Sequence, residues 1–106
     1  MLPIVDPTEL IPVEFDFTDL LKDYAGATIG LIRITIDLLS GTDASPITRL
    51  YGTAIASALV VKQFFQPNAA QTSATKYRIT CNIDVAGTDY KPTIVIELTV
   101  DKRTDA

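Results

Sequence analysis

The sequence predicts an all-β fold, an antiparallel β-sandwich of six to eight strands with one or two short helical turns. Apolar and polar residues alternate with a period of two in residues 77–85 and again in residues 93–100. This alternation is typical of strands with one buried and one solvated face. A short segment containing Gly87 joins the two runs, which indicates a β-hairpin. The faces predicted to be buried carry Tyr77, Ile79, Cys81, Ile83 and Val85 in the first strand, and Ile94, Ile96, Leu98 and Val100 in the second.

Residues 1–12 are predicted to form an extended N-terminal arm. They contain three of the six prolines, which fix the backbone and remove hydrogen-bond donors, so a helix or a central strand is disfavoured. Apolar side chains on such an arm need a surface to cover them, and we expect that surface to be a neighbouring subunit. The alternative is a first edge strand that folds over its own sandwich. The predicted subunit contacts are Leu2, Ile4, Val5, Leu10 and Ile11.

The remaining strands are predicted within a single sandwich domain, residues 13–100. After the first strand, Thr18 is placed to cap one helical turn that ends near Gly26. The longest β-branched run follows, and its buried face should carry Ile32, Ile34, Ile36 and Leu38. Turn-forming loops occupy residues 40–46 and 66–75, and residues 101–106 are predicted to be a flexible tail. The predicted strands are, in order, residues 13–17, 28–39, 47–55, 58–65, 77–85 and 93–100.

Composition narrows the classes of partner. The net charge is −4, and the nine basic residues are scattered along the chain, so a nucleic-acid surface is not expected. No apolar stretch is long enough to span a membrane, and the N-terminus does not resemble a signal peptide. Cys81 is the single cysteine, so no intrachain disulfide can form, and we expect the chain to fold in a reducing cytosol.

Residues suited to catalysis are scarce in this sequence. There is no histidine, no serine elbow, no phosphate-binding glycine loop and no cysteine pair. Glu14 and Asp16 would lie roughly 7 Å apart on one strand face, a spacing that could serve glycoside hydrolysis or calcium binding. Asp19 and Asp23 could join Asp16 near the helical turn. We interpret these acids as solvated surface residues, so the sequence predicts no enzyme and no catalytic, cofactor or metal site.

Tyr77 begins the first hairpin strand, and Ile79 and Cys81 follow it on the same face. This arrangement resembles the tyrosine-corner strand of immunoglobulin-like (Ig-like) and fibronectin-type domains. The alternative is a buried aromatic residue that packs across strands without a special hydrogen bond.

Three segments together resemble a group of small tailed-bacteriophage proteins. They are residues 14–21, the β-branched run that ends in residues 39–43, and residues 77–81, and the resemblance covers roughly residues 13–100. It implies an Ig-like sandwich and a structural role in the virion, as a capsid decoration (cement) protein or as a collar or tail component. The chain departs from that pattern in its proline-rich arm and in loop 66–75.

The resemblance implies a non-enzymatic protein that folds in the host cytoplasm and is then located in the virion. Its expected partners are coat or tail proteins and further copies of itself, as a homo-oligomer or a multi-copy assembly, and neither nucleic acid nor membrane. The alternative is an Ig-like protein- or peptide-binding module of a cellular protein, for which a free sheet edge would be the favourable feature.

Overall fold

The computed structural model describes residues 4–5, 9–68 and 74–101. These residues form seven β-strands and one short 3-10 helix, so the predicted all-β sandwich of six to eight strands is confirmed. No helix in the described ranges is long and apolar enough to cross a membrane. The strands are β1 (Ile4–Val5), β2 (Ile11–Asp16), β3 (Ile29–Ser40), β4 (Leu50–Ser57), β5 (Val60–Phe65), β6 (Thr75–Val85) and β7 (Thr93–Val100), and the 3-10 helix is Pro46–Arg49.

The strands form two sheets. The four-stranded sheet has the order β1-β7-β6-β3, and the three-stranded sheet has the order β2-β5-β4. The short pairing of β1 with β7 is parallel, whereas the other pairings are antiparallel. Placing β2-β5-β4 in one sheet and β3-β6-β7 in the other gives the strand order of the immunoglobulin fold, B-E-D and C-F-G. The first strand departs from the seven-strand form of that fold because it pairs with β7 and not with β2.

The predicted hairpin is formed by β6 and β7. Tyr77 lies opposite Leu98, and Cys81 lies opposite Ile94, so residues predicted to share the buried face of the hairpin meet across the two strands. Tyr77, Ile79, Cys81, Ile83 and Leu98 are buried as predicted, but Ile94 and Ile96 are only partly buried. The reason is that β1 covers β7 only at Thr99 and Val100, so within the described chain the edge beside Ile94 and Ile96 has no neighbouring strand.

The core lies between the two sheets. Phe15 and Val61 project inward from the three-stranded sheet and are fully buried. Phe65 meets Tyr77 of the facing sheet edge-on, with ring centroids 5.4 Å apart. The predicted inner row of β3 faces this core but is only half-buried, because β3 is the outermost strand of its sheet.

Three local predictions differ from the structure. The strand predicted over residues 47–55 begins at Leu50, because Pro46 starts a 3-10 helix that runs to Arg49. The backbone N–H of Thr18 donates to Oδ1 of Asp16 at 2.9 Å, so Asp16 and not Thr18 supplies the capping acceptor for the turns that follow β2. The strand predicted over residues 58–65 begins at Val60, because Ala58 and Leu59 make the tight turn between β4 and β5. Ala58 has a φ of 54°, a left-handed conformation that strands do not adopt.

The N-terminal residues described in the structure pair within their own chain. Ile4 and Val5 lie opposite Thr99 and Val100, and Ile11 opens β2 opposite Phe65. The predicted arm, residues 1–12, therefore includes two short strand segments. Leu2 lies outside the described residues, as do residues 102–106 of the predicted tail.

Candidate interaction surface

The outer face of the three-stranded sheet is unusually apolar. Three of its large side chains, Tyr51, Ile55 and Phe64, are exposed at 53%, 67% and 38%, and we call them the apolar patch. Tyr51 lies opposite Phe64, and Ile55 lies opposite Lys62. Lys62 and Phe64 are two residues apart on β5 and share a face, so the three patch side chains are neighbours in the sheet. Contiguous exposed apolar surface of this kind typically marks a site of interaction with another macromolecule.

The surface beside the patch is concave. A depression of about 500 Å³ is lined by Glu14, Ile55, Ser57, Val60, Lys62 and Phe64. Lys62 Nζ and Glu14 Oε2 are 4.0 Å apart across β5 and β2, and both side chains are about half exposed. An exposed pair at this distance contributes little to stability, so both charges are free to reorient toward a partner at the rim of the patch.

A bulge in β4 and the buried Gln63 determine how the patch is presented. The register of β4 against β5 shifts between Tyr51 and Ile55, and Gly52 within the bulge has a φ of 74°. The side-chain Nε2 of Gln63 donates to the carbonyl oxygen of Tyr51 at 3.1 Å and to that of Phe64 at 2.9 Å. The amide therefore satisfies backbone carbonyls near the bulge. Tyr51 and Ile55 share the outer face because they are four residues apart, and the register shift places Ile55 opposite Lys62, on the same face of β5 as Phe64.

The outer face of the four-stranded sheet is richer in ion pairs. Arg33 Nη1 and Lys91 Nζ lie 2.9 and 3.0 Å from Oδ1 of Asp84, and their hydrogen bonds hold the pKa of that carboxyl below its ordinary value. Glu97 accepts similarly from Lys76, at 3.2 Å, and from Arg78, at 3.3 Å, and the Lys76 hydrogen bond is the main cause of its lowered pKa. Among the described residues, the outer face of the four-stranded sheet thus carries four ion pairs, whereas that of the three-stranded sheet carries one, between Lys62 and Glu14.

A buried polar cluster joins β6 to the loop between β3 and β4. The Asp43 side chain is only 5% exposed and accepts hydrogen bonds from the Tyr77 hydroxyl at 2.6 Å and from the Ser45 backbone N–H at 2.9 Å. Arg49 Nε lies 3.5 Å from the same carboxylate. Burial, together with the neighbouring Asp43 charge, raises the pKa of Tyr77 well above its ordinary value, so the phenol stays neutral. Because the neutral Tyr77 hydroxyl supplies a hydrogen bond that the buried Asp43 carboxylate needs, this contact has a structural role.

Tyr77 combines the two interpretations that the sequence allowed. It is the third residue of β6, the F position of the immunoglobulin order, and its hydroxyl is bound, as in a tyrosine corner. The acceptor is the side chain of Asp43, however, and the ring also packs against Phe65 as a buried aromatic. The sequence analysis did not identify Asp43 as the partner of Tyr77. The only signal for it was its position in the turn-forming segment Ser-Gly-Thr-Asp, residues 40–43.

The acids singled out in the sequence do not gather. Glu14 faces Lys62, and Asp16 accepts hydrogen bonds from Thr18, which lower its pKa. Across the described ranges, no group of three or more Asp, Glu, Cys or His side chains is placed to hold a metal ion. Burial raises the pKa of the Cys81 thiol to about 11, which keeps it protonated near neutral pH.

None of the predicted subunit contacts that the structure describes belongs to the apolar patch. Ile4 and Val5 form β1 at the edge of the four-stranded sheet, Leu10 is exposed just before β2, and Ile11 packs partly against the core. Sequence reasoning did not single out the patch residues, although alternation in residues 60–65 would have placed Lys62 and Phe64 on one face.

No protein-family model matches this chain, and neither does any curated protein or solved structure.

Proposed function

We propose that this protein is a non-enzymatic structural component of a tailed-bacteriophage virion, and that it binds coat or tail proteins through the apolar patch. The single observation that supports the binding role is that three large exposed apolar side chains, Tyr51, Ile55 and Phe64, are neighbours on one outer face. The virion setting rests on the resemblance of residues 13–100 to small phage proteins. In this proposal the protein folds in the host cytoplasm and is then incorporated into the particle in many copies.

The composition of the patch suits a protein partner. Aromatic side chains flanked by polar ones are typical of the residues that contribute most to protein–protein affinity. Tyr51 and Phe64 would act as anchors, because covering an apolar side chain contributes about 25 cal/mol per Å² removed from water. Glu14 and Lys62 would form the polar rim and set orientation more than affinity.

A second candidate, a protein- or peptide-binding module of a cellular protein, is favoured by one observation. Strand β3 is the outermost strand of the four-stranded sheet, and in the described chain its only strand neighbour is β6. An open edge of this kind can accept an extended peptide as an additional strand. The two candidates use different surfaces, so they can be separated by mutation.

The test of the proposal is mass spectrometry of purified particles of the phage whose genome encodes the chain, followed by co-sedimentation of the recombinant protein with particles that lack it. We expect the protein among the virion components. We also expect Ile55→Asp to abolish co-sedimentation, because it places a charge at the centre of the apolar contact.

Val95→Asp is the matched control. Val95 is also an exposed aliphatic residue, 50% accessible, but it lies on the outer face of the four-stranded sheet. This variant should co-sediment like the unmodified protein. Absence from the particles would refute the virion role, and equal loss of binding in both variants would refute the apolar patch as the docking surface.

A further inference from the structure

The free edge of β3 has a regular stretch bounded by two irregularities. The register of β3 against β6 shifts between Ile29 and Ile32 and again between Leu38 and Ser40, and it is continuous from Ile32 to Leu38. Along this stretch of the described structure, no strand pairs with the outer edge of β3. An edge of this length presents unpaired backbone N–H and C=O groups, and its inner side chains are only half-buried.

The amino-acid sequence of this stretch is complementary to itself when read in the opposite direction. Thr35 is at the centre, and the residues at equal distances on either side match in character. On the outer face the basic Arg33 mirrors the acidic Asp37. The matched pairs are Ile34 with Ile36, Arg33 with Asp37, Ile32 with Leu38, and Leu31 with Leu39.

We propose that a second copy of this chain pairs antiparallel with β3 along this edge, around a two-fold axis that passes between the two Thr35 residues. The two four-stranded sheets would then form one continuous sheet. A two-fold interface requires a surface that is complementary to itself, and the matched sequence of β3 meets that requirement. This inference concerns the edge of one sheet and does not depend on the function proposed for the outer face of the other.

The charges on β3 favour this partner and this register. Arg33 is already held on the outer face, where its Nη1 donates to Asn82 Oδ1 at 2.9 Å and lies 2.9 Å from Asp84. Asp37 is exposed and forms no ion pair with any residue that the structure describes. In the proposed dimer each Arg33 lies opposite Asp37 of the second copy, so two opposite-charge pairs form on the same face.

Other registers lose this match. A shift of one residue would turn the isoleucine row of the second copy to the solvated face. A shift of two residues would set Arg33 against Thr35 or against Leu39, and Asp37 against a neutral residue as well. A parallel pairing in register would place two Arg33 side chains together. Only the antiparallel pairing centred on Thr35 joins both charges and both apolar rows.

The exposed apolar side chains at the ends of β3 would be covered by the second copy. Leu31 is 60% exposed, and Leu39 at the other end of the run is exposed as well. Both lie at the bulged ends, where they would meet each other across the interface. The regular run is short, so the interface is small and we expect a weak dimer that forms at high protein concentration.

The experiment uses the whole chain with single cysteines on the outer face, since Cys81 is buried and protonated. In the proposed register, the Cα atoms of Thr35 and its counterpart are about 4.5–5.5 Å apart, within the range for a disulfide. Thr35→Cys should therefore form a cross-linked dimer under mild oxidation. Asp37→Cys should not, because the two introduced cysteines would lie four residues apart, roughly 14 Å.

Thr93→Cys is a second control, because Thr93 is exposed on β7, two strands away from β3, where it would report on pairing through the β7 edge instead. Sedimentation equilibrium of the unmodified chain supplies the dissociation constant of the dimer. We expect Asp37→Lys to raise it roughly tenfold, because two attractive pairs become repulsive. Asp89→Lys, an equal charge change in the loop between β6 and β7, should leave it unchanged.

Selective cross-linking of Thr35→Cys together with the weakened Asp37→Lys dimer would support the proposal. Three results would overturn it: a chain that stays monomeric at high concentration, equal cross-linking of Thr35→Cys and the two control cysteines, or a dimer that Asp37→Lys does not weaken. The last of these would assign self-association to another surface, such as the apolar patch.

Discussion

The hydroxyl of Tyr77 donates a 2.6 Å hydrogen bond to Oδ2 of Asp43, a residue 34 positions earlier in the chain. The contact ties the loop between β3 and β4 to the central strand β6. The same carboxylate is approached by Arg49, which ends the 3-10 helix of this connection. The hydrogen bond therefore holds the loop between β3 and β4 against the core of the sandwich.

Tyr77→Phe tests the contribution of this contact to stability. The ring would still fill its site, but Asp43 would lose one partner while it stays buried. We expect the free energy of unfolding to fall by about 1–3 kcal/mol, measured by urea denaturation, because a buried charged acceptor is left with fewer hydrogen bonds. The control is Tyr24→Phe, since Tyr24 is exposed and its ring stacks on Tyr90. Equal effects of the two substitutions would show that the Asp43 hydrogen bond contributes nothing specific.

Gly41→Ala tests the close approach of this loop to β6. Gly41 has a φ of 86°, and a Cβ atom there would lie 2.7 Å from the Ala74 carbonyl oxygen and 2.8 Å from Thr75 Oγ1. Backbone strain and overlap should together lower the free energy of unfolding by roughly 2–5 kcal/mol.

Gly87→Ala separates these two effects. Gly87 has a similar φ of 78° but no atom within 4 Å of its Cβ position, so only the backbone strain of about 1–2 kcal/mol applies. Thermal or urea unfolding of both variants gives the comparison. A Gly41→Ala variant as stable as Gly87→Ala would mean that the loop can move away from β6 without cost.

Because Cys81 is buried, we expect the free energy of unfolding to fall at alkaline pH. Burial raises the pKa of its thiol from an ordinary 9.0 to about 11, because the low-dielectric core disfavours the thiolate. This contribution to stability is fully present below pH 9 and is lost as the pH rises toward 11. Cys81→Ala lacks it, so the stability advantage of the unmodified protein over this variant should shrink over that interval. Urea unfolding with a thiol reductant measures the difference.

Every residue other than residue 81 is common to the two proteins, so the comparison isolates the contribution of the thiol. An advantage that stays constant from pH 9 to pH 11 would show that the thiol does not titrate differently in the folded and unfolded states.

Much of the secondary structure could be predicted from local patterns. The predicted hairpin is formed by β6 and β7, and residues predicted to share the buried face lie opposite each other, as Ile79 does Ile96. Strand β3 also lies where its β-branched residues indicated. The contact between Asp43 and Tyr77 could not be predicted, because it depends on the path of a loop relative to a strand far along the chain. The pairing of Ile4 and Val5 with β7 is similarly long-range.

For the apolar patch, too, local sequence patterns and long-range contacts have to be distinguished. Ile55 and Val61 are both β-branched residues in apolar stretches, yet Ile55 is the most exposed large apolar residue of the patch and Val61 is fully buried. Local composition does not distinguish them. Which side chain faces the second sheet is decided by how each strand is oriented and paired in the assembled sandwich.

The alternating rows of β3 and β6 show what the sequence determined by itself. Both strands alternate with a period of two, because successive side chains along any strand point to opposite faces, and this property is local. The tertiary structure decided that the β6 row is fully buried while the β3 row is half-exposed, since β6 lies between two strands and β3 ends the sheet. Sheet order results from pairings between distant segments, whose energies depend on the whole assembled fold, and a local pattern does not encode them.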